Sequence, residues 1–440
     1  MEHIKELKIE KVVFGGYGLG FHDGHAVFVT NGIPGDVVKV RIKYKKKDSL
    51  FGEIDFYIKH SPDYIPPPCE VFNKCGGCSW LNVSYESQLR YKTTILDELM
   101  RNLEFPINPV QCSPMISQYR NKSFLPVGGT TDSPKIGMFA SQTHTVIEYK
   151  DCALHPKLYD RIIEIVKDYI KKAKVPIYDE KTGKGTLRHL GIRYSTRTGE
   201  LIIILVTKTR KLPFTKQLVN MLSTEFKGLV GIIQNINPSS GNRILGEDDK
   251  LIYGEPYITE ELMGKSYRIH YKSFFQVNTS QAEEMLKYVK LHINKDDTLI
   301  DAYCGTGSIG ISLSSSCRKV IGIESVSEAI EDAKQNCSIN SVDNCEFICG
   351  TVEESLKQVI EANNADVIVF DPPRKGLDPE TVKLISDTRI AKIIYISCNP
   401  ATQLRDLKGF ISAGYKLKAM QAFDMFPHTW HIENIAVLEL

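Results

Sequence analysis

The 440-residue sequence predicts a multidomain α/β protein: a small N-terminal β-barrel of the OB type, a mixed α+β middle, and a C-terminal Rossmann-like domain built on a doubly wound parallel sheet. Three observations carry that expectation. Short apolar runs broken by glycine fill residues 1–60. A proline-rich exit, Pro66-Pro67-Pro68, cannot continue a sheet and marks a boundary. From about residue 285, helical and strand-like segments alternate regularly, which means a parallel sheet with ligands at the carboxyl ends of its strands. With 42% hydrophobic residues the chain can bury several cores, and at roughly 150 residues per domain its length allows about three.

The barrel reads as KIEKVVF, a glycine turn GGYGLG, HAVFVT, a turn at Asn31-Gly32-Ile33-Pro34-Gly35, then DVVKVRIKYKK and FGEIDFYI. In the fifth of these segments Lys39, Arg41, Lys43 and Lys45 fall on alternate positions, so a strand puts all four on one face, where they can follow a phosphate backbone. A plain solvated face is an equal reading. The net charge of +2 decides nothing by itself, because basic surface can be local.

No apolar stretch approaches the ~20 residues that span a bilayer, and MEHIKELKIEKVV alternates charge with apolar residues. The expected location is the cytoplasm, with no membrane association. Eleven cysteines in such a chain suggest reduced thiols, metal ligands or a nucleophile. Cys69, Cys75 and Cys78 cluster around Gly76-Gly77, a metal-site spacing. Residues 85–103 have helical periodicity. The stretch 115–265 mixes strands such as ELIIILVT with a helix near 156–173 and carries no catalytic motif of its own.

The chemistry lies further on. Asp301-Ala-Tyr303-Cys-Gly305-Thr-Gly307-Ser-Ile-Gly310 ends a strand, opens a helix and satisfies GxGxxG, a pattern shared by several nucleoside cofactors. Glu324 closes the next strand, where a carboxylate can hold both hydroxyls of a ribose. Together they imply an adenosine-containing cofactor. The fourth strand ends in Asp371-Pro372-Pro373-Arg374-Lys375-Gly376, a stiff loop of the kind that many S-adenosylmethionine enzymes hold over a base. Arg374 stands where amine methylators usually have an aromatic residue. Strand KIIYIS delivers Cys398 to the same edge. A thiolate there is the natural group to add to carbon 6 of a pyrimidine, whose carbon 5 otherwise captures no methyl cation equivalent. A buried inert cysteine is the bland alternative. Such a reaction also needs a base for the carbon 5 proton, and His428, His431 and Glu433 are candidates that chemistry alone does not separate.

At this point the sequence resembles the RNA uracil-5 methyltransferase family over nearly its whole length, in five ordered blocks: Phe274 to Asn278, Asp301 to Gly310, Asp371 to Gly376, Ser397 to Asp406 and Asp424 to Glu433. The resemblance implies Cys398 as nucleophile and Glu433 as the base, with Gln276, Tyr303, Glu324 and Asp371 lining the pocket for S-adenosylmethionine and uracil. It makes 1–60 a TRAM-like RNA-binding barrel, 61–265 a central domain with an iron-sulfur site, and 266–440 the methyltransferase domain, with 85–113 expected to pack on the latter. It also implies Cys69, Cys75, Cys78 and Cys152 as ligands of a 4Fe-4S cluster, although four thiolates suit zinc equally on spacing alone. The remaining cysteines read as packing residues. A TRAM domain combined with a cluster resembles the ribosomal members, so 23S rRNA is the expected partner, with no obligate protein partner. Transfer RNA is the alternative substrate. An RNA-binding protein without methyl transfer is the competing class, opposed by the presence of both Cys398 and Glu433, and cytosine methylation fits the blocks less well.

Overall fold

A computed structural model describes residues 3–141 and 143–440. The chain forms two compact units. One comprises Met1–Asn73, Gly77–Ile116 and Val369–Leu440; the other comprises Lys74–Gly76 and Ser117–Ile368.

In the first unit, six strands form the N-terminal sheet in the order His3–Lys8, Val37–Lys46, Ser49–Lys59, His25–Thr30, Tyr17–His22 and Lys11–Val12. Its interior is Ile4, Leu7, Ile9, Val27, Val29, Val38 and Val40. In the GGYGLG segment Gly15 and Gly16 make the expected turn, at φ +101° and +82°, and the chain is a strand from Tyr17 onward. That strand's glycines are there for close approach: a Cβ at Gly20 would lie 2.4 Å from the Lys8 carbonyl oxygen, and one at Gly18 would lie 2.6 Å from that of Gly32. Val38, Val40 and Ile42 point inward between the expected cations. Three of those cations are already paired, Lys39 with Asp55 (3.0 Å), and Arg41 and Lys43 with Glu53 (2.9 and 3.1 Å).

The second unit contains a six-stranded sheet in the order Asp248–Gly254, Leu229–Ile236, Leu201–Thr207, Leu187–Tyr194, Lys122–Gly129 and Pro134–Ile136. Leu201–Thr207 is buried at every position. The helix Leu158–Ala173 is amphipathic and lays Tyr159, Ile162, Val166, Tyr169 and Ile170 on this sheet. A hairpin pairs Tyr257–Leu262 with Lys265–His270, across the 265/266 boundary.

Seven further strands, numbered here within their own sheet, are β1 Thr298–Ala302, β2 Lys319–Glu324, β3 Cys345–Cys349, β4 Val367–Phe370, β5 Lys392–Ser397, β6 Lys416–Phe423 and β7 Glu433–Glu439. Their order is β3-β2-β1-β4-β5-β7-β6, and the division between the two units falls inside β4. Neighbours β1, β2 and β3 are parallel, while β7 runs antiparallel to both β5 and β6. β1 is buried at all five positions, as expected of a strand covered on both faces. Among the described residues, no helix is long and apolar enough to cross a membrane.

Candidate active site

Cys398 and Glu433 lie far apart in sequence, and the sheet register joins them. Ser397, the last residue of β5, pairs with Asn434 of β7. Because β7 runs backwards, its first residue, Glu433, lies beside Cys398, just past the carboxyl end of β5. A hydrogen-bonded lock fixes this register: Gln403 donates to the Tyr395 carbonyl at 2.9 Å and accepts from the Asn434 side-chain amide at 2.7 Å.

The loop after β4 is held by the helix Pro400–Ser412. The side chains of Asn399 and Thr402 donate to the Arg374 carbonyl, at 3.0 and 3.3 Å. Arg405 donates to the carbonyls of Lys375 and Leu377, and Asp406 accepts from the Leu377 amide at 2.9 Å and the Tyr395 hydroxyl at 2.7 Å. Gly376 sits at φ +77°, and a Cβ there would lie 2.6 Å from the Asp406 carboxylate. The SCNPATQLRD block therefore delivers the thiol and also clamps the Asp-Pro-Pro loop.

Four ionisable groups meet here. Burial, with Glu433 and Asp371 adding to it, pushes the Cys398 thiol up to about 11, while Arg374, hydrogen-bonded to the sulfur, works against the rise. Glu433 is 2% exposed. Burial holds its carboxyl well above the ordinary range, Asp371 adds to this, and Arg374 opposes it. Burial raises Asp371 to about 7. Arg374 was singled out in the sequence only as a non-aromatic residue in the loop. Its role beside the sulfur depends on how the loop is clamped, and the signal that could have found it was the cation within the DPPR block.

The two histidines have partners of their own. His428 is a tie to the helix Tyr85–Met100: Gln88 of that helix accepts from the His428 amide at 2.8 Å and meets its Nδ1 at 3.2 Å. Burial lowers the His428 pKa. Lys92 of the same helix and Asp424 form a fully buried ion pair at 2.5 Å. The His431 ring lies against Trp430, centroids 4.1 Å apart. Trp430 meets Phe14 of the N-terminal segment edge-on at 5.1 Å, and Gly16 comes so close that a Cβ there would be 2.5 Å from the indole.

The second unit holds Gln276, Tyr303 and Glu324. After β1, Tyr303, Gly305 and Gly307 all take positive φ, and the Asp301 carboxylate accepts from the Gly310 amide at 2.8 Å. Glu324 ends β2 and accepts from the amides of Gly305 (3.2 Å) and Val326 (2.9 Å) and from the Ser325 hydroxyl (3.1 Å). The Tyr303 hydroxyl donates to Glu353 at 3.2 Å. Gln276 lies on a separate loop buttressed by the central sheet: Asn121 donates to the Gln276 carbonyl at 3.1 Å, and Lys122 and Arg193 donate to the Ser273 carbonyl. Asn121 and Lys122, at the start of the central sheet's strand Lys122–Gly129, thus support this loop.

Cys69 and Cys78 belong to the first unit, Cys75 and Cys152 to the second. None of the four is in a disulfide, and all are of intermediate exposure. Cys75 and Cys152 both lie close enough to Tyr149 to raise its hydroxyl, after burial, which is the larger cause. Among the described residues no group of three or more His, Cys, Asp or Glu is gathered to hold a metal ion. Of the cysteines expected to pack, Cys304, Cys317 and Cys337 are buried, whereas Cys112 and Cys349 are exposed; a strand end or loop near an apolar run does not ensure burial.

Comparison with known proteins decides the family. The model of the tRNA (uracil-5-)-methyltransferase family matches residues 84–440, and the TRAM domain model matches residues 3–54. The chain belongs to the tRNA (uracil-5-)-methyltransferase family. It is an S-adenosylmethionine-dependent RNA (uracil-C5)-methyltransferase with a TRAM domain. It is 39% identical over 431 residues to an uncharacterized RNA methyltransferase of Clostridium tetani, covering 96% of this chain and 93% of that one. A relative of the same description from Halalkalibacterium halodurans is 36% identical over 447 residues, covering 99% and 97%. Among solved structures it is similar to the tRNA (uracil-54, C5)-methyltransferase of Pyrococcus abyssi in complex with S-adenosyl-L-homocysteine, with a TM-score of 0.80 and 28% identity over 98% of this chain and 100% of that one.

Proposed function

We propose that this methyltransferase acts through a covalent adduct between Cys398 and carbon 6 of a uridine in 23S rRNA, with Glu433 as the base. The observation that carries the mechanism is the meeting of Cys398, Glu433, Asp371 and Arg374 at one sheet edge. The target uridine leaves its stack, because its ring carbons are unreachable inside a helix. The Cys398 thiolate adds to carbon 6, and the electron pair moves to an enolate across carbon 5 and the carbonyl at carbon 4. That enolate takes the methyl of S-adenosylmethionine, and S-adenosylhomocysteine leaves. Glu433 removes the carbon 5 proton, the carbon 5 to carbon 6 double bond re-forms, and the thiolate departs from 5-methyluridine. Arg374 favours the thiolate in this sequence of steps, and the burial that raises Glu433 makes its carboxylate a stronger base.

Gln276, Tyr303 and Glu324 hold the methyl donor, and Asp371 serves donor and uracil together. Glu324 fits that role because the loop it orders, at Gly305, is the one whose glycines admit a ligand close to the backbone.

Cys69, Cys75, Cys78 and Cys152 fit a 4Fe-4S cluster by the chemistry of their donor set, four thiolates. The cluster is given a structural part in bracing the central domain, and no step of the reaction runs through it. Iron, sulfide and zinc analysis of anaerobically purified protein tests it; zinc in place of iron overturns it. The reaction is placed in the cytoplasm.

The ribosomal target rests on the pairing of a TRAM domain with a cluster. A second reading, transfer RNA, is favoured by the full-length similarity to the Pyrococcus abyssi enzyme. Nucleoside mass spectrometry separates them: unmodified large-subunit, small-subunit and transfer RNA are each incubated with protein and S-adenosylmethionine, alongside Cys398→Ala. New 5-methyluridine in the large-subunit fraction alone is the expected result. Its appearance in transfer RNA overturns the target, and full turnover by Cys398→Ala overturns the mechanism.

A further inference from the structure

The second unit contains a cavity of about 430 Å³ that none of the residues discussed above for methyl transfer lines. It falls within the ~300–1,000 Å³ typical of small-ligand pockets. Its rim and its floor differ in kind. At the rim, the His144 ring stacks on Phe139, centroids 5.0 Å apart and 25° from parallel, with the His144 side chain 58% exposed. Arg243 also lines the cavity, 65% exposed and paired with Glu247 of its own loop at 2.6 Å.

The floor holds Arg188 and His189, 4% and 8% exposed. Arg188 is fixed by two bonds from Nη1, to the carbonyls of Asn237 (2.9 Å) and Ser239 (2.6 Å), and by stacking over Tyr178. Even so, among the described residues Arg188 Nε and His189 Nδ1 are buried with no hydrogen-bond partner. Leaving such groups unsatisfied is costly in a folded protein. Burial, with Arg188 beside it, lowers the His189 pKa to about 4, so its ring is neutral and offers one donor and one acceptor.

We propose that this cavity is a second RNA site, which takes the base of one unpaired nucleotide of the substrate RNA, separate from the uridine that is methylated. A nucleobase matches each part: flat faces for the Phe139 and His144 rings, a hydrogen-bonding edge for Arg188 and His189, and a phosphate for Arg243. Stacking of this kind tolerates several bases, so the site anchors the strand more than it reads it. A metal ion is a poor fit, since cationic groups dominate the polar lining and Glu180 is already engaged by His144 at 2.5 Å.

The proposal rests on the chain being an RNA methyltransferase and is independent of the choice between ribosomal and transfer RNA. The test uses full-length protein with 4-thiouridine-substituted transcripts of both. After irradiation, cross-linked peptides from residues 138–144 or 241–244 are expected with at least one transcript. The double variant His144→Ala/Arg243→Glu alters two exposed side chains outside the catalytic machinery. It is expected to weaken RNA binding and raise KM for RNA about ten-fold, with kcat and S-adenosylhomocysteine affinity unchanged. Cross-links absent from these peptides with both transcripts, together with wild-type RNA affinity in the variant, overturn the proposal. So does a variant that loses affinity for free adenosine monophosphate while its RNA binding stays intact, which makes the cavity a mononucleotide site. If the variant does not fold, the cross-link map of the wild-type protein decides alone.

Discussion

The carboxylates at the two halves of the methyltransferase sheet are treated in opposite ways. At the ends of β1 and β2, Asp301 and Glu324 are engaged by backbone amides, at 2.8 to 3.2 Å. Past β4 and at the start of β7, Asp371 and Glu433 are pushed by burial toward their protonated forms, and at Glu433 one guanidinium, Arg374, opposes the rise. The first pair behaves as fixed architecture, since amide donors favour a permanent carboxylate. The second pair is poised to exchange protons, as acid-base groups must be. The difference separates carboxylates that order a loop from those that the proposed reaction would use.

The largest expected effect tests the poised half. Cys398→Ala should lower 5-methyluridine formation by roughly 10⁴-fold or more, as expected on loss of a covalent nucleophile. The measurement is single-turnover transfer of labelled methyl, with S-adenosylhomocysteine affinity as the folding control. Turnover within ten-fold of the wild type would remove the thiol from the mechanism. Glu433→Gln comes next, at about 10² to 10⁴-fold in kcat, the usual contribution of a general base. Here the adduct should accumulate, because the carbon 5 proton stays in place. A band of protein joined to RNA on a denaturing gel, absent with Cys398→Ala, is the expected result; a slow variant with no such band would take the base role away from Glu433.

The fixed half is sharpened by Glu324→Ala. It removes a charge accepting from Gly305 and Val326, and a charge-assisted hydrogen bond is worth about 1.5–3 kcal/mol, so KM for S-adenosylmethionine should rise about 10 to 100-fold. KM for RNA should not move. A loss confined to kcat would place Glu324 with the poised pair and erase the contrast.

These two halves were not equally legible in the sequence. The β1 loop and Glu324 are local: glycines, a strand end and a carboxylate within one βαβ unit give their roles by spacing. Cys398 was also readable, because β5 is a continuous apolar run that ends at it. Glu433 was not separable from His428 and His431, since the choice depends on the antiparallel register of β7 against β5, a contact between distant segments. The same limit hid the parts of Arg374 and of Asp406, which work through a loop and a helix packed together. In the barrel, Gly18 and Gly20 were read as turn along with Gly15 and Gly16, because sequence does not distinguish a positive φ from a close backbone approach. The Lys92 and Asp424 pair, joining residues 332 positions apart, carried no signal at all.

The smallest effect asks whether poise costs stability. Burial raises Asp371 from the ordinary carboxylate value of 3.8 to about 7. For a group raised in the folded state, the favourable contribution is complete below the unfolded value and is lost as pH rises through the folded one. At pH 8 the wild-type protein therefore holds a desolvated carboxylate that Asp371→Asn lacks, whereas near pH 4 both side chains are neutral. The variant should unfold about 2 °C higher than wild type at pH 8, with little difference near pH 4, and should methylate more slowly at both. Differential scanning fluorimetry at the two pH values measures this. An equal Tm at pH 8 would mean that water reaches Asp371 as freely as it reaches an exposed carboxylate, and the two halves of the sheet would then differ in the donors around their carboxylates and not in the free energy stored there.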